Sequence, residues 1–402
     1  MKKYLIILCD GMADEPLDEL QGRTPLEAAH TPNMDYLASR SEIGMVRTVP
    51  EGMAPGSDTA NLSVMGYDPE KYYTGRSPLE ALSIGVDMAG DDVSFRCNLV
   101  TLSEEEESYG DRRILDHSSG EISTEDAAVL IDALKKGLQR EGYEFYVGTS
   151  YRHLLIWKHG RVVELTAPHD ILTSRIGEYL PQDALLREMM VKSYDILSGH
   201  PINEKRKEQG KNPANYAWFW GGGTRPALSS FEEKYHLKGA MVSAVDLLKG
   251  IAVGAGMRNI SVEGANGGLD TNYAGKGEAG VEALLGEEDF VYIHVEAPDE
   301  MGHQGSAGNK ITAIERIDAQ IIGSAIKKLR ENHVDFRMLV LPDHPTPIRV
   351  RTHVSDPVPY LLYDSVGELD GAFDTYNEKT GRESGFLIEK GHTLIRRLFE
   401  QE

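Results

Sequence analysis

This 402-residue sequence predicts an α/β fold: a mostly parallel central sheet flanked by helices, with a smaller α/β domain inserted into it. Three observations carry that expectation. Apolar runs at residues 4–8, 290–295 and 338–341 read as strands buried on both faces, as parallel strands are. Ile314, Ile317, Ile321 and Leu329 recur at helical spacing between the last two runs, so strand–helix–strand is the economical reading. Between about residues 80 and 230 the texture changes to short alternating pieces. Residues 80–230 are therefore expected to form an inserted domain, with 1–79 and 231–402 forming one discontinuous core.

Taken in order, the first run ends at Asp10-Gly11, as a buried strand entering a turn would. In the insertion, Ser123 and Asp126 stand at capping-box spacing before a helix expected to reach about Arg140. Residues 95–102, 153–157 and 161–165 read as strands, and 184–197 as a second helix. Residues 204–211 are charged and read as exposed, and Trp220-Gly221-Gly222-Gly223 reads as a flexible joint. The later runs are followed by Asp299 and Asp343. Ligands of open α/β sheets gather outside the carboxyl ends of the strands, where Asp10, Asp299 and Asp343 all fall.

Bulk composition narrows the partners. A formal charge of -22 disfavours nucleic acid and anionic membrane, both of which need a basic face. Metals and a few Arg residues can still reverse the sign locally, so a small anionic substrate remains compatible. The two cysteines, Cys9 and Cys97, lie in apolar stretches and read as small buried hydrophobes. The N-terminal apolar run is too short for a signal peptide, and no stretch approaches the roughly 18 apolar residues of a membrane span. A cytoplasmic protein is expected; its oligomeric state is not legible.

Acids and imidazoles at strand ends suit a two-metal site. Carboxylate oxygens and neutral imidazole nitrogens bind Mn²⁺ or Zn²⁺, and paired ions clamp a phosphoryl group during displacement. Asp299 and His303 would share a face if helical, whereas Gly302 and Gly305 favour a loop that wraps an ion; a polar surface loop is the plain alternative. Asp343-His344, between Pro342 and Pro345, could reach one ion from a loop, or could be a capping Asp beside an exposed His. His353 and Asp10, taken singly, read as a surface residue and a turn cap. Ser57, in Pro55-Gly56-Ser57-Asp58-Thr59, precedes a helical stretch and is a candidate nucleophile or an ordinary N-cap. Arg76, Arg152, Arg225 and Lys249 are candidate phosphate or carboxylate partners, though any one of them taken singly is more often a surface ion-pair residue. His117 and His153 are weaker candidates.

Together these segments resemble the cofactor-independent phosphoglycerate mutases, in their archaeal-type branch, within the alkaline phosphatase superfamily. The resemblance spans nearly the whole chain: Asp10 to Asp14, Gly22 to Asp35, Gly56-Ser57-Asp58, Tyr73 to Ala81, Asp299 to His303 and Asp343-His344. It implies an alkaline phosphatase-like core and two divalent ions, Mn²⁺ preferred, with Zn²⁺, Mg²⁺ or Co²⁺ possible. One ion would be held by Asp299, His303 and His353, the other by Asp10, Ser57, Asp343 and His344. Ser57 would carry the phosphoryl group as phosphoserine while the inserted domain closes over the glycerate. Arg152, Arg225 and Lys249 fall near the family's basic substrate positions; His117 is a candidate acid or base there.

Other functions compete. The wording Asp343-His344-Pro345-Thr346-Pro347 is similar to a bacterial group proposed as homoserine kinases of threonine synthesis. No Gly-x-x-x-x-Gly-Lys-Ser/Thr loop supports a kinase, since Gly275-Lys276 is followed by Gly277, but a metal-clamped site would not need one. A metal-dependent phosphatase would use the same ligands, though it has no need of an insertion that retains product. A binding or scaffold protein has no reason to keep Ser57 beside two ligand sets. The expectation is interconversion of 3- and 2-phosphoglycerate.

Overall fold

The structure, a computed structural model, describes residues 2–400. Its strands are β1 (Lys3–Cys9), β2 (Glu42–Val46), β3 (Val93–Leu102), β4 (Ile114–Asp116), β5 (Tyr143–Thr149), β6 (Arg152–Trp157), β7 (Tyr216–Thr224), β8 (Gly239–Val242), β9 (Arg258–Ile260), β10 (Phe290–Val295), β11 (Phe336–Leu341), β12 (Val358–Asp364) and β13 (Leu387–Ile388). The chain divides into two compact units. One joins the residues up to Tyr73 with those from Leu228 onward; the other is Thr74–Ala227.

The first unit holds an eight-stranded sheet in the order β13-β2-β12-β11-β1-β10-β8-β9. Strands β11, β1, β10, β8 and β9 run parallel, and only β12 opposes its neighbours. The apolar runs form these strands because both faces are covered: Leu5, Ile6, Ile7 and Leu8 are all fully buried. Leu5, Ile7 and Cys9 share one cluster with Val291, Ile293, Met338, Val340 and the helix residues Ile314, Ile317, Ile321 and Leu329. The expected helix between β10 and β11 is present, in three consecutive stretches; the middle one, Ile317–Ile322, is a π-helical turn. Since β11, β1 and β10 are adjacent and parallel, Asp10, Asp343 and Asp299 all emerge at one edge of the sheet.

In the second unit β3 lies between β6 and β7, with β5 beyond β6 and β4 against the end of β3, all antiparallel. The helices Thr124–Gly137 and Ala184–Leu197 bury Leu130, Ile131, Leu134, Leu186, Met190 and Leu197 in the core of this unit. Ser123 caps the first helix by accepting from the Asp126 N–H, and the helix stops at Gly137, short of Arg140. Two expectations fail here. Trp220 to Gly223 is not a joint but part of β7, because Gly222 and Gly223 pack against Phe95 and the Thr74 carbonyl, where a Cβ would clash. Residues 161–165 pair with no strand among the described residues. The break between units falls before Thr74, so the helix Arg76–Ser83 goes with the second unit. Both cysteines are free and buried, and among the described residues no helix is long and apolar enough to cross a membrane.

Candidate active site

Ser57 opens the helix Ser57–Val64, but it is not the cap. Gly56 occupies that position and makes no side-chain cap bond. The Ser57 hydroxyl is therefore not spent on the helix end; it lies 3.2 Å from His344 Nε2 and 3.5 Å from Asp10 Oδ2. From the next turn Asn61, fully buried, donates 2.8 Å bonds to the Ser57 carbonyl and to Asp343 Oδ2. Asp343 Oδ1 accepts from the Gly11 N–H at 3.1 Å and from the His344 N–H at 2.9 Å. The bend after β11 lets both Asp343 and His344 face one point, with His344 Nε2 3.4 Å from Asp343 Oδ2 and 3.6 Å from Asp10 Oδ1.

Asp299 and His303 do not lie in a loop. They occupy the helix Ala297–Gln304, one turn apart on one face, 3.2 Å from each other. The glycines that suggested a loop have other causes. A Cβ at Gly302 would come 2.5 Å from the Thr346 carbonyl, and Gly305 ends the helix at φ 71°. His353 completes the group, its Nε2 3.4 Å from Asp299 and 3.0 Å from His303 Nε2. The opposite nitrogen of His303, Nδ1, donates to the Arg351 carbonyl at 2.9 Å, which turns Nε2 toward Asp299 and His353. Thr346 ties the halves together: its hydroxyl donates to Asp299 Oδ1 and lies 3.3 Å from His344 Nδ1.

Electrostatics make this arrangement costly unless it meets positive charge. Burial, with the charges of Asp343, Asp299 and Glu296, pushes Asp10 well above the usual carboxylate range. Burial would raise Asp299 too, but bonds to His303 and His353 outweigh it and hold that carboxyl well below its usual range. The same pairing with Asp299 lifts His303 to about 9. Burial lowers His344. Donor atoms of Asp10, Asp343 and His344 lie within 4.8 Å of one another, as do those of Asp299, His344 and His353. Asp10 Oδ1 is buried and has no hydrogen-bond partner among the described residues. An orphaned carboxylate oxygen beside a second carboxylate and an imidazole is a donor set that fits a divalent cation.

Three of these supports were not read from sequence. His294 lies within the apolar run of β10, fully buried, its Nε2 2.8 Å from Asp10 Oδ2, and burial lowers it to about 3. Asn61 and Thr346 are the other two. A lone histidine inside a buried strand was the one available signal.

The chain and its architecture have counterparts among known proteins. The chain is 48% identical to the 2,3-bisphosphoglycerate-independent phosphoglycerate mutase of Methanosarcina barkeri, over 98% of each chain. This chain belongs to the 2,3-bisphosphoglycerate-independent phosphoglycerate mutase family. The family profile of that description matches residues 38–203. Among solved structures, a Pyrococcus horikoshii protein superposes with a TM-score of 0.82 at 32% identity, covering 99% of this chain and 97% of its own. The cofactor-independent phosphoglycerate mutase of Thermoplasma acidophilum gives 0.67 at 27% identity, covering 100% and 99%. This mutase-family assignment does not favour the homoserine-kinase reading.

The remaining candidates of this mutase-family chain are divided between the two units. In the second unit Arg76 and the buried Arg96 share Glu80, at 3.3 and 2.8 Å, and Arg96 lies over the Trp220 ring. Arg152 lies over Tyr151, whose ring also meets His117; His117 in turn neighbours His169, which packs edge-on against Trp220. These groups form one basic and aromatic cluster. Arg225 is tied instead to the Met88 carbonyl and Asp87. His153 is buried in the sheet and accepts from the Gly148 N–H. Lys249, in the first unit, pairs with Asp246 at 3.2 Å.

Proposed function

We propose that this chain interconverts 3-phosphoglycerate and 2-phosphoglycerate without added bisphosphoglycerate, through a phosphoserine at Ser57. One observation carries the reading: a helix-opening hydroxyl, free of capping duty, stands 3.2 Å from His344 and 3.5 Å from Asp10 inside a ring of acids and imidazoles. Full-length relatives bearing the mutase name support it.

Divalent ions, Mn²⁺ foremost, held by Asp299, His303 and His353 and by Asp10, Ser57, Asp343 and His344 would neutralise phosphate oxygens and make the Ser57 hydroxyl more acidic. Ser57 Oγ forms a bond to phosphorus as the ester oxygen of the glycerate leaves, and the serine proton ends on that oxygen. The neighbouring hydroxyl of the same glycerate then attacks phosphorus, the Oγ–P bond breaks, and the proton returns to Ser57. Nothing is consumed, so no nucleotide or bisphosphate is needed. The glycerate must be kept between the two displacements and water kept away, or the enzyme becomes a phosphatase. Arg76, Arg96 and Arg152 offer the charge that would hold its carboxylate.

The test is phosphorus NMR of the protein with Mn²⁺ and 3-phosphoglycerate alone. The 2-phosphoglycerate resonance should grow to equilibrium, and Ser57→Ala should abolish it while circular dichroism stays unchanged. Release of inorganic phosphate instead would make the chain a hydrolase. Phosphohomoserine from homoserine and ATP, with phosphoglycerate untouched, would make it a kinase.

A further inference from the structure

Strand β10 carries polar side chains where a buried parallel strand should carry none. Tyr292 and His294 are fully buried and, being two residues apart, share a face, while Ile293 between them points into the apolar cluster. Both polar side chains face the carboxylates of the site. The Tyr292 hydroxyl donates to Asn61 Oδ1 at 2.6 Å, and Asn61 Nδ2 donates to Asp343. His294 reaches Asp10 directly, at 2.8 Å.

The proton positions on His294 follow from its surroundings. The ionised Asp10 Oδ2 accepts, so the nitrogen 2.8 Å from it, Nε2, carries the proton; Ser243 Oγ, which accepts the Val245 N–H at 3.0 Å, then donates its O–H to Nδ1, 3.2 Å away. Nδ1 is thus an acceptor, and the Nε2 proton is donated to Asp10 Oδ2. That bond occupies one carboxylate oxygen and leaves Oδ1, which is buried and has no hydrogen-bond partner among the described residues, as the one facing Asp343 and His344. Buried polar groups are ordinarily satisfied, and within this group of side chains Oδ1 is the atom that a cation would complete.

We propose that His294 is a positioning residue for the cation site. Held in one tautomer by Ser243, it locks the Asp10 carboxylate so that Oδ1 faces the ion. This rests on the reading of Asp10, Asp343 and His344 as a cation site, and the experiment separates the two. Metal-stripped full-length protein is titrated with Mn²⁺ by calorimetry, as wild type, His294→Leu, His294→Gln and Ser243→Ala. Leucine removes the donor; glutamine places an amide N–H near the position of Nε2.

His294→Leu should weaken Mn²⁺ binding about 10–100-fold, His294→Gln should recover most of that loss, and Ser243→Ala should fall between. Nitrogen NMR of wild-type protein should find His294 with Nε2 protonated and Nδ1 bare, a readout independent of whether any variant folds. Equal Mn²⁺ affinity in a folded His294→Leu, or a ring protonated on Nδ1, would overturn the inference alone. Failure of wild type to bind Mn²⁺ would overturn the cation site as well.

Discussion

The Lys234 ammonium lies over the rings of Tyr67 and Tyr235 and donates to the Gly66 carbonyl, half-buried, with Arg396 and Lys71 nearby. Burial first, and those two cations second, lower it to about 8. In the unfolded chain the same amine titrates near 10.4. Between those values the unfolded state binds a proton that the folded state does not, so stability rises with pH across the window. Below about 8 the folded protein carries the full penalty, on the order of 1 kcal/mol once solvent screening of a half-buried group is allowed for. Wild type should therefore gain on Lys234→Met as pH is raised from about 8 to about 10, measured as the difference in their melting temperatures. A difference that stays flat would show that the amine is solvated in the folded state. The acids of the site follow the same physics with opposite outcomes: Asp10 is raised by burial and then by the carboxylates it faces, whereas Asp299, also buried, is lowered because its bonds to imidazoles outweigh burial.

Among elements, the short helix Ala297–Gln304 does most to bring the site together, since it presents Asp299 and His303 one turn apart. It can approach the segment after β11 only because Gly302 has no side chain: a Cβ there would come 2.5 Å from the Thr346 carbonyl and 2.9 Å from its methyl carbon. Backbone cannot yield as a flexible side chain does, so Gly302→Ala should push the helix from the strand end that carries His344 and Thr346. Overpacking of this kind costs about 1–3 kcal/mol. Because geometry at the site is strained with it, kcat should fall more than tenfold, a drop that a misplacement of about 1 Å can produce. Steady-state kinetics with a thermal melt would check both; unchanged kcat would mean the helix is not held in register by that contact. Gly302 also marks how far the sequence could be read. Acids at the ends of apolar runs were legible because a strand and its terminal residue are neighbours in sequence. The role of Gly302 depends on Thr346, which is close only through space, so its helix read as a loop. Asn61, Thr346 and His294 were hidden in the same way: each acts by touching a residue far along the chain, and His294 was masked by the apolar strand around it.

At the scale of the whole molecule, a formal charge of -22 surrounds a site proposed to take a multiply charged anion. The two act over different distances. The field of the surface charge extends about 30 Å at about 10 mM salt but only about 8 Å at about 150 mM. Arg76, Arg96 and Arg152, proposed to hold the substrate's carboxylate, would act only at contact range, where salt screens far less. Where a field of opposite sign guides a substrate, salt screens it and the capture rate falls. Here the long-range field opposes the substrate, so salt should help. Raising sodium chloride from about 10 to about 150 mM at fixed Mn²⁺ should increase kcat/KM for 3-phosphoglycerate severalfold, with kcat little changed. Neutralising Arg96 should lower kcat/KM at both salt concentrations and leave that upward slope in place, because its contribution is local. If kcat/KM falls with salt in wild type, the basic cluster governs approach as well as grip, and the acidic surface has no part in capture.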